Sequence, residues 1–206
     1  MVVNKDKLMQ QEFEQKCRIE NVCAGRCDIE LGDITKHNVM QLKRLNLAVF
    51  PICYNEKFYK EVINAGELAK LAYFNDIIVG GVYCRIDNVD GVKKLYIMTL
   101  GTLAPYRRFG VGTLLLEHVF SLCEKDSQIK SVTLHVQTNN ESALSFYKKF
   151  GFNVSGRVEK YYKRIEPDDA FVLEKLKIII EKEQQEIKTR VMFTRFVVIF
   201  WVRSIA

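Results

Sequence analysis

The chain has 206 residues, of which 48% are hydrophobic and 27% charged, with a net charge of +6. This balance excludes a disordered or fibrous chain and fits one soluble globular domain with room for short appendages. The basic excess favours acidic ligands, among them phosphorylated cofactors and nucleic-acid or ribosomal surfaces, without deciding between them.

Residues 1–27 are polar and charged and lack the apolar core of a secretory signal, which argues against secretion. Cys17, Cys23 and Cys27 cluster there, but no second cluster or histidine pair completes a metal set, so no metal is expected. With Cys53, Cys84 and Cys123 they read as reduced thiols of a cytoplasmic protein that can also be nuclear.

The spacing predicts a strand over 29–31 and then a helix capped by Thr35, with Val39, Leu42, Leu45 and Val49 on its inner face and Pro51 as its stop. A second helix is expected over 56–64, ended by Gly66 in a left-handed conformation. Strands follow over 68–74 and 77–86, joined by the hairpin dipeptide Asn75-Asp76. After a turn at 88–91, a strand over 95–103 runs into a glycine-containing turn. A helix from Thr113 then buries Leu114, Leu115, Val119 and Leu122. Residues 131–137 read as a central strand buried on both faces, and 143–150 as a short helix opened by Asn139-Asn140-Glu141-Ser142 and ended by Gly151. Further strands complete the domain.

This order predicts an α/β (α+β) fold, a single domain with helices on both faces of a mixed central sheet. From about 175 the strand alternation fades. The expected organisation is an N-terminal extension over 1–27, the domain over 28–174 and a tail over 175–206, charged and then apolar. The run of seven apolar residues at 196–202 falls far short of the roughly 20 needed to span a bilayer, so it is left to pack, to dock or to aggregate.

The turn Arg107-Arg108-Phe109-Gly110-Val111-Gly112-Thr113, between a strand and a helix, carries the chemistry. The first amides of a helix have no intrahelical partner and sit at the positive end of its dipole, which suits an anionic phosphate. Glycines let the backbone approach phosphate oxygens, and guanidinium forks match them. The glycine spacing is neither that of a dinucleotide-binding fold nor that of a P-loop. By itself, the turn leaves a plain structural reading open.

Taken with Asn140-x-x-Ala143-x-x-Phe146-Tyr147-x-x-Phe150-Gly151-Phe152, this turn and the element order resemble the GCN5-related N-acetyltransferase (GNAT) family. The segments Phe50-Pro51-Ile52-Cys53-Tyr54, 95–101, 134–137 and 161–165 sharpen the resemblance to its members that acetylate protein N-termini. It covers about residues 28–173. The Ile52-Cys53 pair departs from the Val-Ser expected there, and the apolar end departs further.

The resemblance implies acetyl-CoA as cosubstrate and no metal. Its diphosphate would lie on Arg107, Arg108, Phe109, Gly110, Val111, Gly112 and Thr113, next to Leu100 and Gly101, with Asn140, Ser142 and Tyr147 beside pantetheine and thioester. The resemblance also assigns Tyr96 and His135 to removing the amine proton through an ordered water. A pKa near 6.5 makes the histidine the better acceptor, and one near 10 makes the tyrosine an orienter. Tyr147 has two readings, protonating the leaving thiolate or covering the coenzyme. An amide near 98–100 would polarise the acetyl carbonyl, in a gap that the sequence does not itself display.

Phe50, Pro51, Ile52 and Tyr54, with Met98, Tyr161, Tyr162 and Ile165, would form an apolar slot for a protein N-terminus starting with Met and an apolar second residue. Partners implied by the resemblance are subunits of the NatA complex and the ribosome, with no sequence-specific nucleic acid and no membrane span. The competing readings are an acetyltransferase for lysine or small amines, and a weakly active binding subunit of a ribosome-bound or cohesion-related complex. Taken alone, His135 and Tyr96 are also ordinary core residues.

Overall fold

The computed structural model describes residues 28–180 apart from 90 and 164. Residues 1–27, with Cys17, Cys23 and Cys27, and the apolar run at 196–202 lie outside the described residues, as does most of the expected tail.

Seven strands form one sheet in the order β1-β2-β3-β4-β5-β7-β6. They are β1 (Ile29–Asp33), β2 (Ala69–Phe74), β3 (Ile77–Val89), β4 (Val92–Thr102), β5 (Ile129–Gln137), β6 (Asn153–Val158) and β7 (Ala170–Leu176). Every neighbouring pair is antiparallel except β4 and β5. Helices α1 (Val39–Val49) and α2 (Glu56–Ile63) precede β2, α3 (Val111–Lys125) links β4 to β5, and α4 (Glu141–Lys149) links β5 to β6.

The two sides of the sheet carry separate cores. Leu42, Leu45, Phe58, Val62, Leu71 and Tyr83 pack beneath α1 and α2. Cys84, Leu95, Ile97, Leu115, Val119, Val132 and Leu134 pack with α3 and α4. The mixed sheet with helices on both faces is therefore the architecture that the sequence order predicts.

The expected turns form for the reasons given by their residues. Asn75 and Asp76 both adopt positive φ, 47° and 67°, as a two-residue hairpin matched to strand twist requires. Asn55 caps α2, its side chain accepting from the Phe58 amide at 3.0 Å.

Other details differ. The helix after the glycine turn starts at Val111 rather than Thr113, because Gly110 (φ 88°) itself occupies the N-cap position. Starting there turns Leu116 and Phe120 inward and leaves Leu114 half-buried. Thr35 does not cap α1; Asn38 holds the N-cap position, while Thr35 Oγ1 accepts from the His37 amide. β5 is buried on both sides only in its first half, at Ser131 and Val132; further on Leu134 and Val136 stay buried on one side while Thr133, His135 and Gln137 are half-exposed on the other.

The packed unit also passes the boundary expected at 174, since β7 runs to Leu176 and Ile180 is 1% exposed. Lys175, 1% exposed, donates to the Phe150 carbonyl at 2.6 Å and lies 4.9 Å from the Phe120 ring. Lys177 donates to the Cys123 and Asp126 carbonyls. These carbonyls sit at the C-terminal ends of α4 and α3, where the helix leaves acceptors unfilled and a cation is favoured. Losing such a donor exposes a buried acceptor at a cost of about 1–3 kcal/mol. Lys175→Met, which keeps the stem and deletes the donor, is thus expected to lower Tm by several degrees in a thermal melt. An unchanged Tm would show that the Phe150 carbonyl does not depend on Lys175.

Candidate functional site

β4 and β5 begin side by side and then part. Their parallel pairing runs from Lys93↔Ile129 to Tyr96↔Thr133 and stops. Beyond it β4 continues with β3 and β5 continues with β7. On the β3 side the register shifts, Tyr83 facing Thr99 and Cys84 facing Ile97, so Met98 is the extra residue of a bulge, a device that bends a strand. A cleft of about 290 Å³ opens where the strands diverge.

Thirteen of the residues picked out from the sequence line it. Tyr96, Met98 and Leu100 come from β4, His135 from β5, and Asn140 and Tyr147 from the start and middle of α4. Phe50, Pro51, Ile52 and Tyr54 come from the loop after α1, and Tyr161, Tyr162 and Ile165 from the loop between β6 and β7. The rings lock together: Tyr54 stacks on Phe58 at 4.2 Å, and Tyr161 meets Tyr162 edge-on at 4.9 Å. Gln137 Nε2 donates to the Pro167 carbonyl at 2.8 Å, which ties the second loop to β5.

The Tyr96 hydroxyl sits 2.9 Å from His135 Nδ1 and 3.0 Å from the Tyr161 hydroxyl. The His135 and Tyr161 rings stack at 4.3 Å with 6° between their planes. Burial pushes the His135 pKa below 6.5, and the nearby Arg85 guanidinium lowers it further. The Tyr96 hydroxyl is pushed well above its usual value, first by burial and then by its hydrogen bond with Tyr161; Arg85 opposes this shift but is outweighed. At neutral pH the pair is thus a neutral imidazole beside an intact phenol. Such an imidazole can accept a proton, and such a phenol can position one.

Arg85 was not picked out from the sequence. It lies opposite Tyr96 in the β3–β4 register, its guanidinium 4.9 Å from the Tyr96 ring and paired with Asp87 at 2.8 Å. A charge directly after the apolar run 77–84 was its available signal. Ile97, Thr99, Leu134, Val136, Gln137 and Ala143 also line the cleft; the sequence offered them only as parts of motifs, with no side-chain role, since nothing local distinguishes them from packing residues.

The turn at 107–113 stands at the end of β4, outside these walls. Arg108 (φ 71°) and Gly110 (φ 88°) both take left-handed backbone, and no side chain caps α3. The first intrahelical donor is the Leu114 amide, bonded to the Gly110 carbonyl at 3.0 Å, so the amides of Val111, Gly112 and Thr113 precede it and are available to an anion. Arg107 and Arg108 are exposed beside them. A Cβ on Gly112 would only touch the Phe146 ring at 3.4 Å. This backbone fits a diphosphate.

Three expected contacts sit apart from the cleft. Phe109 packs edge-on against Phe74 at 5.7 Å, and Ser142 is exposed on α4. Gly101 is buried, and a Cβ there would lie 2.6 Å from Val49 and 2.9 Å from Phe50. Its missing side chain is explained by the end of α1, which it lets settle on β4 to set the Phe50 loop. Asn140 caps α4, accepting from the Ala143 amide at 3.1 Å. Tyr147 is 5% exposed and held protonated by burial.

Residues 38–152 match the model of the acetyltransferase (GNAT) family. The chain is 61% identical over 150 residues to the probable N-acetyltransferase san of Drosophila melanogaster, covering 73% of this chain and 82% of that protein. It is 62% identical over 147 residues to N-alpha-acetyltransferase 50 of Danio rerio, covering 71% and 88%. Among solved structures, Arabidopsis thaliana Naa50 in complex with the bisubstrate analogue CoA-Ac-MVNAL superposes with a TM-score of 0.67 at 49% identity, covering 71% of this chain and 97% of that one. A cleft between diverging central strands, a glycine turn opening the helix at its end and this degree of likeness lead to one conclusion: the chain belongs to the GNAT acetyltransferase family.

Proposed function

We propose that this acetyl-CoA-dependent N-alpha-acetyltransferase acts on proteins whose N-terminus is Met followed by an apolar residue, by direct transfer in a ternary complex. One observation carries the reading: two aromatic and aliphatic loops face each other across the Tyr96–His135 pair at the bottom of the cleft. Aliphatic walls suit a methionine side chain, and tyrosine hydroxyls suit a peptide backbone. The peptide part of the analogue held by the plant relative begins Met-Val, which supports the assignment.

The electrostatics favour an α-amine over a lysine. An α-amino group has a pKa of about 7.7–8.0 and lysine about 10.4, so the first gives up its proton far more readily to a base below 6.5. Arg85, lining the same cleft, further disfavours an ammonium that stays charged.

Acetyl-CoA supplies the activated acyl group; the amides at the start of α3, with Arg107 and Arg108 beside them, would hold its diphosphate. His135 is the terminal acceptor of the amine proton, reached through an ordered water, with Nδ1 taking a hydrogen bond from Tyr96, which holds the ring. Beyond Tyr96 the β4 backbone over 98–100 has left β5 and lines the cleft, which supplies donors for the carbonyl oxygen as it gains charge. Tyr147, protonated and at the cleft wall, donates to the departing sulfur. Association with NatA subunits and the ribosome, and action in the cytoplasm and nucleus, belong to the same proposal; the net charge of +6 supports the ribosomal part.

On a peptide panel, Met-Leu starts should be acetylated at least about 10-fold faster, in kcat/KM, than N-terminally blocked lysine peptides, the size of a modest transition-state preference. Equal rates would refute the assignment. Tyr96→Phe and His135→Ala should each lose about 100-fold or more in turnover while binding coenzyme normally. Wild-type turnover in both would remove the mechanism.

The lowered His135 pKa has a defined sign. The unfolded chain binds this proton more tightly, so His135 costs no stability above pH 6.5 and destabilises the fold as pH falls below it. The acid limb of kcat/KM should therefore lie below 6.5, and His135→Gln should flatten the fall in stability over that range in denaturant titrations. An acid limb above 6.5 would contradict the neutral imidazole.

A further inference from the structure

His135, Tyr96 and Tyr161 form a continuous hydrogen-bonded line, of which the mechanism above uses two members. Tyr96 Oη is 2.9 Å from His135 Nδ1 and 3.0 Å from Tyr161 Oη. Tyr161 is held by its ring, lying flat on His135 at 4.3 Å, and by its loop, where the Tyr162 amide donates to the Asp168 carbonyl at 2.8 Å. At 40% exposed, it joins the buried pair to the mouth of the cleft.

The tautomer that lets His135 act as base through Nδ1 sets the direction of the line. With a neutral His135 accepting at Nδ1, the single Tyr96 proton is committed to that nitrogen, and Tyr96 Oη accepts from Tyr161. The Tyr161 proton is then committed to Tyr96. What remains on Tyr161 Oη is a lone pair for a donor in the cleft, and the donor that must be discharged there is the substrate ammonium. With Tyr161 in the line, no ordered water is needed between the amine and Tyr96.

We propose that Tyr161 is a catalytic residue: its hydroxyl takes the proton of the substrate α-ammonium and starts a three-member relay that ends on His135. The proposal rests on the Tyr96–His135 reading and deepens it. In the step, an amine N–H bond breaks and a bond to Tyr161 Oη forms; the Tyr161 proton moves to Tyr96 Oη, and the Tyr96 proton moves to Nδ1. Both phenols are restored, the amine is neutral with its lone pair free, and His135 is an imidazolium that later releases its proton to water. No phenolate accumulates, in keeping with the protonated state of Tyr96.

Tyr161→Phe keeps the ring that stacks on His135 and removes only the oxygen. On a Met-Leu peptide, kcat is expected to fall about 10-fold or more, with the peptide KM within roughly twofold and Tm unchanged. Because the residues act as one path, Tyr96→Phe/Tyr161→Phe should be no slower than the slower single variant. A wild-type kcat in Tyr161→Phe, a rise in KM alone, or multiplicative losses in the double variant would each overturn the relay and leave Tyr161 as a wall of the slot. His135→Ala, assayed in parallel, separates this from failure of the underlying reading: full activity there would show that His135 is not the base, whatever Tyr161 does.

Discussion

The site exists because β4 has one neighbour too few. Up to Tyr96 it is hydrogen-bonded on both sides, and after Tyr96 only on the β3 side. An unpaired run of backbone in a sheet interior costs free energy unless something else uses its donors, and the adjoining residues are arranged so that a ligand does. The closed end is clamped: Glu174 on β7 accepts from Lys94 on β4 at 2.9 Å and from Ser131 on β5 at 2.7 Å. The open end is bent by the bulge at Met98 and capped by the loops that hold Phe50 and Tyr161. Cleft, anion turn and substrate slot all follow from this divergence.

The same divergence explains the protonation states. Tyr96 sits on the last paired rung and His135 two residues beyond it on β5, both deep enough for burial to disfavour phenolate and imidazolium. Burial is the largest influence on each group. Arg85 pulls both pKa values down, opposing burial at Tyr96 and reinforcing it at His135, and reverses neither outcome. A neutral base beside an intact phenol is thereby produced by position in the sheet, with a guanidinium reinforcing it at the histidine.

Much of this was legible in the residues. The order of elements followed from periodicity and turn chemistry, as in Asn75-Asp76 and the Pro51 stop, because these signals are local. The anion turn was legible as chemistry and ambiguous as function until Asn140 and Tyr147 were read with it. What escaped depends on contacts distant in sequence. The start of α3 moved because Gly110 takes the cap position itself, and the fold passed 174 because Lys175 and Lys177 fill carbonyls belonging to other elements. Gly101, read as a coenzyme contact, is small for the sake of Val49 and Phe50. Arg85 becomes meaningful only through its register with Tyr96, and Tyr161 as more than a wall only through its distance to the same hydroxyl.

The central claim is that backbone released by the parting of β4 from β5, together with the first amides of α3, receives the coenzyme. Amide hydrogen exchange of the full chain with and without acetyl-CoA tests it directly. The account predicts slowed exchange at residues 98–100 and 111–113 together, with β1 and β2 unchanged. Protection confined to other elements, or none at either segment, would contradict it.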